Sequence, residues 1–314
     1  FGKKIDLSSI NENLRNKNNF NKDIILDLTA DLIKLNSKLY LTGNLKGKIK
    51  GSLFESIAYG KITLGGSSLL DNGKFEIYSD SKISRLEGIG LVGGAETKIN
   101  LQKQVNKFPS LVFETSNGGK LLHALGFTKN LKSGDMKIKI KFLNNLYDQY
   151  EGRIKSKNFS IVNAPGIINS LSILSFSGIK SIITGEGVFF DKGDVDIKVK
   201  NKNFNFDKLY LTSESLGIAA KGNLNLEKNS IEMTGSVAPI KLISKILSVV
   251  PAVGELLTGL KKEGLFAGQF EMKGLIENPE IKLNTMSFAP GILRDLFSED
   301  WFENNNFFIK RAVN

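Results

Sequence analysis

Residues suited to chemistry are scarce in this 314-residue chain, which has one histidine and no cysteine. His123 lies in a short apolar segment, and no motif supplies the carboxylate or nucleophile partner that a catalytic histidine needs. Without cysteine, disulfides, thiolate nucleophiles and Cys-ligated zinc are excluded. We therefore expect His123 to be a structural or surface residue and the chain to be neither an enzyme nor a cofactor carrier.

Acidic and glycine-rich segments are the other candidates for chemistry. Asp191, Asp194 and Asp196 are close in sequence but lack calcium-loop spacing, which favours a solvated strand face over a cation site. The segments 185–187 and 90–94 are rich in glycine, yet neither has the form of a phosphate loop or dinucleotide fingerprint. Bulges or bends in a curved sheet explain them better, so no metal site is predicted.

The formal net charge is +11, which suggests an acidic partner such as nucleic acid or anionic lipid headgroups. The lysines are scattered and no aromatic-basic recognition motif appears, so we expect no nucleic-acid binding. No segment reaches the roughly 18–20 uninterrupted apolar residues of a membrane-spanning helix. The nearest one, 238–260, is interrupted by Lys241, Lys245, Pro251 and Glu255 and is predicted to be amphipathic or buried.

Period-two alternation of apolar and polar residues is the dominant pattern and predicts strands with one covered face. The clearest strand places four apolar residues opposite three lysines: Met136, Ile138, Ile140 and Phe142. A second strand repeats the pattern with Val195, Ile197 and Val199. Shorter runs include Leu39/Leu41, Phe75/Ile77, Leu209/Leu211, Leu224/Leu226, Phe270/Met272 and Ile281/Leu283.

Turn-forming residues follow these runs at short intervals and predict a meander, in which antiparallel strands pair with their sequence neighbours. The predicted turns are at 71–73, 133–135, 191–193 and 227–229.

Helical spacing appears in only a few segments. Short helices are predicted at 120–125, 165–175, 240–260 and 290–297, with a polar loop at 11–21. The stretch 240–257 is expected to pack on the sheet, where it could also close one end of it. An aromatic cluster near the C-terminus either docks on the sheet end or meets a membrane interface: Trp301, Phe302, Phe307 and Phe308.

So few helices cannot cover a sheet of a dozen or more strands. The sheet must curl on itself, pair with a second sheet, or leave apolar surface available. Periodicity alone leaves a sandwich and an open apolar groove as equal alternatives.

A series of motifs from about residue 118 to 294 resembles the C-terminal domain of the AsmA-like family of bacterial envelope proteins. The motifs are Asn117–Leu122, Leu125-Gly126, Asn163–Pro165, Gly185–Phe190, Ser215–Ile218, Asn278-Pro279 and Ala289–Arg294. Each motif is weak alone, but their order and spacing are specific.

The resemblance implies a mainly β fold, a long antiparallel meander curled into an open apolar groove with a few short capping helices. It further implies three regions: upstream β-repeats at 1–110, the AsmA-like domain at 111–300 and a tail at 301–314. It places the protein in the periplasm, held to the inner membrane by an N-terminal anchor. The anchor is absent from a chain that starts at Phe1 and reads as a fragment or processed product.

The function implied is binding of phospholipid acyl chains and support of lipid transfer between inner and outer membranes. Met136, Ile138, Ile140, Phe142, Val195, Ile197 and Val199 are then the predicted lipid-binding residues. An alternative is a scaffold that assists outer-membrane protein assembly with envelope protein partners, offering sheet edges to their strands. A sugar hydrolase on a β-scaffold would need paired carboxylates, which no motif suggests.

Overall fold

A computed structural model describes residues 4–6, 23–35, 38–64, 67–80, 82–124, 127–144, 146–162, 183–184, 187–214, 216–239, 268–276 and 278–284. The chain divides into two compact units, Phe1–Ile154 and Lys155–Asn314. The boundary predicted between residues 110 and 111 lies inside the first unit. Strand β10, Gln149–Ile161, contains the division between the units.

The first unit is an antiparallel meander, in which each strand from β2 to β9 pairs with the next one along the chain. The short strand β1 instead runs parallel to the end of β2. The elements are β1 (Lys4–Asp6), β2 (Ile24–Lys34), β3 (Leu39–Lys50), β4 (Leu53–Leu64), β5 (Ser67–Ser79), β6 (Ile83–Val92), β7 (Ala95–Gln104), β8 (Ser110–Thr115), helix α1 (Gly118–Ala124) and β9 (Leu131–Phe142).

The second unit repeats this arrangement, with consecutive strands from β11 to β17 paired antiparallel. Its strands are β11 (Ile183–Thr184), β12 (Gly187–Lys200), β13 (Asn203–Thr212), β14 (Leu216–Asn225), β15 (Ser230–Pro239), β16 (Gly268–Leu275) and β17 (Asn278–Asn284). The predicted mainly β meander is confirmed in both units.

Alternation of apolar and polar residues translates directly into burial. In β9 the side chains of Met136, Ile138 and Phe142 are buried, while the lysines between them are exposed. Most of the buried apolar side chains of β2 to β9 belong to one hydrophobic cluster. We call the apolar face of each unit its inner face and the opposite, polar face its outer face.

Three of the four predicted turns are wrong, because they lie inside strands β5, β9 and β12. Asn72 and Ser133 do have positive φ, 47° and 61°, as the sequence predicted. The register with β6 shifts between Asp71 and Lys74, which identifies a β-bulge. Residues that tolerate positive φ serve bulges as well as turns, and the sequence pattern does not distinguish the two.

Of the four predicted turns, the one at 227–229 does join two strands. In this turn Asn229 has φ 47° and connects β14 to β15. The other strand connections described below lie at positions that were not predicted. Gly93 and Gly94 connect β6 to β7, and Asn201 and Lys202 connect β12 to β13. All four of these residues have positive φ, which suits two-residue hairpin loops.

Helix α1 confirms the predicted helix at 120–125. Asn117 caps it, because the Asn117 side-chain oxygen accepts a hydrogen bond from the Lys120 N–H at 3.1 Å. The predicted helices at 165–175, 240–260 and 290–297, the loop at 11–21 and the aromatic cluster at 301–308 lie outside the described residues.

Candidate functional site

Apolar side chains form continuous rows across the inner face of the first unit. One row starts at Ile138 and passes through directly paired residues of eight strands: Ile138, Phe113, Ile99, Gly88, Phe75, Ala58, Leu45 and Leu28. A parallel row starts at Ile140 and passes through Leu111, Leu101 and Leu86. With strands about 4.8 Å apart, the eight-strand row from Ile138 to Leu28 is roughly 34 Å long.

Most of the predicted lipid-binding residues in this unit are inaccessible. Met136 and Ile138 are each 4% exposed and Phe142 is 3% exposed. Ile140 is only partly buried, although it packs against the same cluster. Within β9, Ile140 is therefore the predicted residue that a ligand could reach without displacing the core.

Met136 departs from the apolar rows. It pairs with Thr115, and Thr115 in turn pairs with Thr97. Helix α1 lies over it so closely that a Cβ added at Gly118 would be 2.5 Å from the Met136 Cε atom. Met136 therefore anchors the helix to the sheet.

Phe142 lies in an aromatic cluster at the end of β9. Its ring is edge-on to Tyr147, with centroids 4.8 Å apart, and to Tyr150, with centroids 5.9 Å apart. Burial raises the pKa of Tyr150 to about 12. This cluster surrounds Phe142 with aromatic side chains and accounts for its burial.

In the second unit the predicted residues of β12 each begin an inner-face row. The row from Ile197 crosses six strands through Phe206, Gly222, Met233, Met272 and Ile281. The row from Val195 passes through Leu209, Ala220, Gly235, Phe270 and Leu283. The row from Val199 passes through Phe204, Leu224 and Ile231.

The row of Ile197 is partly exposed at its β17 end, whereas the row of Val195 is already partly exposed at Val195 itself. Ile197 and Val199 are 7% and 5% exposed, whereas Met272 and Ile281 are partly exposed. Alternation in the sequence predicted strands at Phe270/Met272 and Ile281/Leu283, but it gave no reason to include these residues in the lipid-binding site. Only the strand register shows that Met272 and Ile281 continue the row of Ile197.

No cluster suited to a metal ion appears among the described residues. His123 is exposed in the last turn of α1. No group of three or more His, Asp or Glu side chains in the described ranges is arranged to hold a metal ion. Asp194 and Asp196 lie on β12 beside strand neighbours Tyr210 and Lys208, consistent with the predicted strand face.

Asp191 and Lys192 are neighbours in β12, and both have a shifted pKa. Burial, and secondarily the charge of Glu214, raises the pKa of Asp191. Burial also lowers the pKa of Lys192. The burial pattern of β12 shifts by one residue between Phe190 and Gly193, so this pair lies at an irregularity of the strand. The charge of Lys157 acts on Lys192 in the same direction as burial.

Comparison with known protein families, with curated proteins and with solved structures finds no match to this chain. Among the described residues, no helix has both the length and the apolar character needed to span a membrane.

Proposed function

We propose that this chain is an AsmA-like periplasmic domain that binds phospholipid acyl chains on its inner face and supports lipid transfer between the two membranes, without catalysis. One observation carries the proposal: apolar rows run without interruption by charge from strand to strand and become partly exposed at Met272 and Ile281. The proposal includes an inner-membrane anchor outside this chain.

The dimensions of the rows suit an acyl chain. Six strands about 4.8 Å apart give the row from Ile197 to Ile281 a length of roughly 24 Å. An acyl chain in a bilayer spans half of a hydrocarbon layer about 30 Å thick, so it fits within one row. Each CH₂ group transferred from water to such a surface contributes about 0.8 kcal/mol.

Photo-crosslinking tests this proposal at the accessible end of the row. A photoreactive residue at Met272 or Ile281 should label phospholipid in isolated envelopes. The matched controls are Lys273 and Lys282, which follow these residues in the same strands and are exposed on the outer face. Equal labelling on both faces, or no labelling at Met272 and Ile281, would contradict the proposal.

A second measurement separates lipid binding from the scaffold alternative. Mass spectrometry of the purified chain should detect phospholipid in stoichiometric amount. Replacing Met272 with Glu places a charge in the row and should reduce the bound lipid, while Lys273→Glu on the opposite face should not. A lipid-free chain that co-purifies with an outer-membrane protein would support the scaffold instead.

A further inference from the structure

The outer face of the first unit, opposite the apolar rows, contains a recess. It is a shallow groove of about 780 Å³ over strands β5 to β9, which we call the outer groove. The charged and amide side chains that line it are Lys74, Glu76, Glu87, Lys98, Asn100, Gln102, Glu114, Lys137 and Lys139.

The acidic side chains of the outer groove are largely engaged by neighbours. Glu114 forms an ion pair with Lys137. The hydrogen bond that Lys137 donates to Glu114 within this ion pair is the main reason why the pKa of Glu114 is lowered. The charges of Lys98 and Lys139 act in the same direction. Glu87 accepts a hydrogen bond from the Asn100 side-chain amide at 2.8 Å and lies 3.4 Å from the Arg85 guanidinium.

The lysines of the outer groove outnumber the acids available to them. Three lysines surround Glu114 alone, two of them without an ion pair of their own in the described chain. Lys74 likewise belongs to none of the ion pairs formed among the described residues. Glu76, the third glutamate of the groove, also belongs to no ion pair among the described residues and lies directly opposite Glu87. The four lysines and three glutamates of the groove therefore leave a net excess of one positive charge, which favours an anionic partner.

Apolar side chains flank these lysines on the same face. Tyr59 is 50% exposed, Ile89 is 48% exposed and Ile57 is 42% exposed. Tyr59 pairs with Lys74, and Lys74 pairs with Ile89, so the lysine lies between an aromatic and an aliphatic side chain. Lysines beside exposed tyrosine and aliphatic residues are typical of surfaces that meet a lipid headgroup layer.

We propose that the outer groove docks the first unit onto the surface of an anionic phospholipid bilayer. The lysines contact headgroup phosphates, and Tyr59, Ile57 and Ile89 enter the headgroup layer. An acidic protein segment would use the lysines but would gain less from three separated apolar side chains. This surface lies opposite the inner face, so docking does not depend on acyl-chain binding and either proposal can fail alone.

Vesicle sedimentation with two charge-matched variants tests the docking. The groove variant is K74Q/K98Q/K139Q, and the control is K200Q/K221Q/K228Q, which removes three exposed lysines of the second unit. Each lysine near an anionic surface contributes roughly fivefold to affinity, so the groove variant should bind phosphatidylglycerol vesicles at least about tenfold more weakly. The control variant should stay within about threefold of the unmodified chain.

Three other results would overturn the proposal. Equal losses in both variants would mean that net charge alone attracts the chain to the vesicles. Unchanged binding of the groove variant would show that the surface is elsewhere. If a polyglutamate peptide binds and the groove variant loses this binding, while vesicle binding is unaffected, the occupant is an acidic protein segment.

The variant I57S/I89S tests the apolar side chains of the surface. It should weaken vesicle binding and leave peptide binding unchanged, and circular dichroism should show all variants folded.

Discussion

Gly43 and Gly60 face each other across β3 and β4, and both have a φ that only glycine adopts readily, 139° and 140°. A Cβ on either residue would overlap a backbone oxygen of the other strand, that of Tyr59 or that of Thr42. The pair therefore allows the two strands to approach at one point of the inner face.

Replacing Gly60 with Ala should destabilise the first unit, because the new Cβ meets rigid backbone and φ is unfavourable. We expect a loss of about 1–3 kcal/mol in the free energy of unfolding, measured by urea denaturation. Gly51→Asn is the control, since Gly51 has φ 57°, a left-handed value that Asn tolerates, and open space around its Cα. A neutral Gly60→Ala would show that β3 and β4 can separate locally without cost.

Phe75 and Gly88 form a second pair, in which the buried phenyl ring takes the space of the missing side chain. A Cβ at Gly88 would lie 2.5 Å from the Phe75 Cδ1 atom. Gly88→Ala should therefore cost about 1–3 kcal/mol by overpacking. In the double variant with Phe75→Leu, the costs should be less than additive by 0.5 kcal/mol or more, on the order of coupling between residues in contact. Strict additivity in a denaturation cycle would contradict the packing.

Lys202 offers a stabilising substitution in the second unit. Asn201 and Lys202 have φ 50° and 58° in the turn between β12 and β13, a geometry that favours Asn-Gly. Lys202→Gly should raise the free energy of unfolding by roughly 0.5–1 kcal/mol, because glycine removes the left-handed strain. The control is Lys200→Gly inside β12, which should lower the free energy of unfolding, because glycine in a strand loses more conformational freedom on folding. A destabilised Lys202→Gly variant would show that the turn has another conformation.

Tyr150 should titrate late, since burial raises its pKa to about 12. The hydrogen bond that Tyr78 donates to Asp80 also raises the pKa of Tyr78. The folded pKa of Tyr150 lies above the unfolded value of about 10, so its contribution to stability is complete below pH 10 and is lost as the pH rises through 12. Absorbance of tyrosinate should show a late step that Tyr150→Phe removes. Tyr59→Phe, on the exposed outer face, should leave that step in place. A titration of Tyr150→Phe that still contains the late step would assign it to another tyrosine.

The sequence predicts strands well wherever alternation is uninterrupted. Met136 to Phe142 and Val195 to Val199 have the predicted faces, because period two admits only one side for the apolar residues. The bulge at Asn72 and the positive-φ residue Ser133 inside β9 were predicted as turns, because the same residue types suit turns and irregular strand positions.

The candidate site was only partly predictable for a different reason. A row such as Ile197 to Ile281 depends on register, and register is set by turns and bulges that no alternation pattern specifies. The outer groove was missed because its lysines come from β5, β7 and β9, which are far apart in sequence. The net charge indicated an acidic partner but not the place where it would bind.

Pairing of each strand with its sequence neighbour has a consequence for how such a sheet is lengthened. Within β2 to β9 the strands contact mainly their neighbours in sequence, as in repeat proteins, where stability is a sum over neighbouring modules. Duplicating or deleting one hairpin would shift the later strands by two positions while keeping every inner side chain on its face. The length of the apolar rows is thus free to change by gain or loss of hairpins, with no rewiring of the remaining fold.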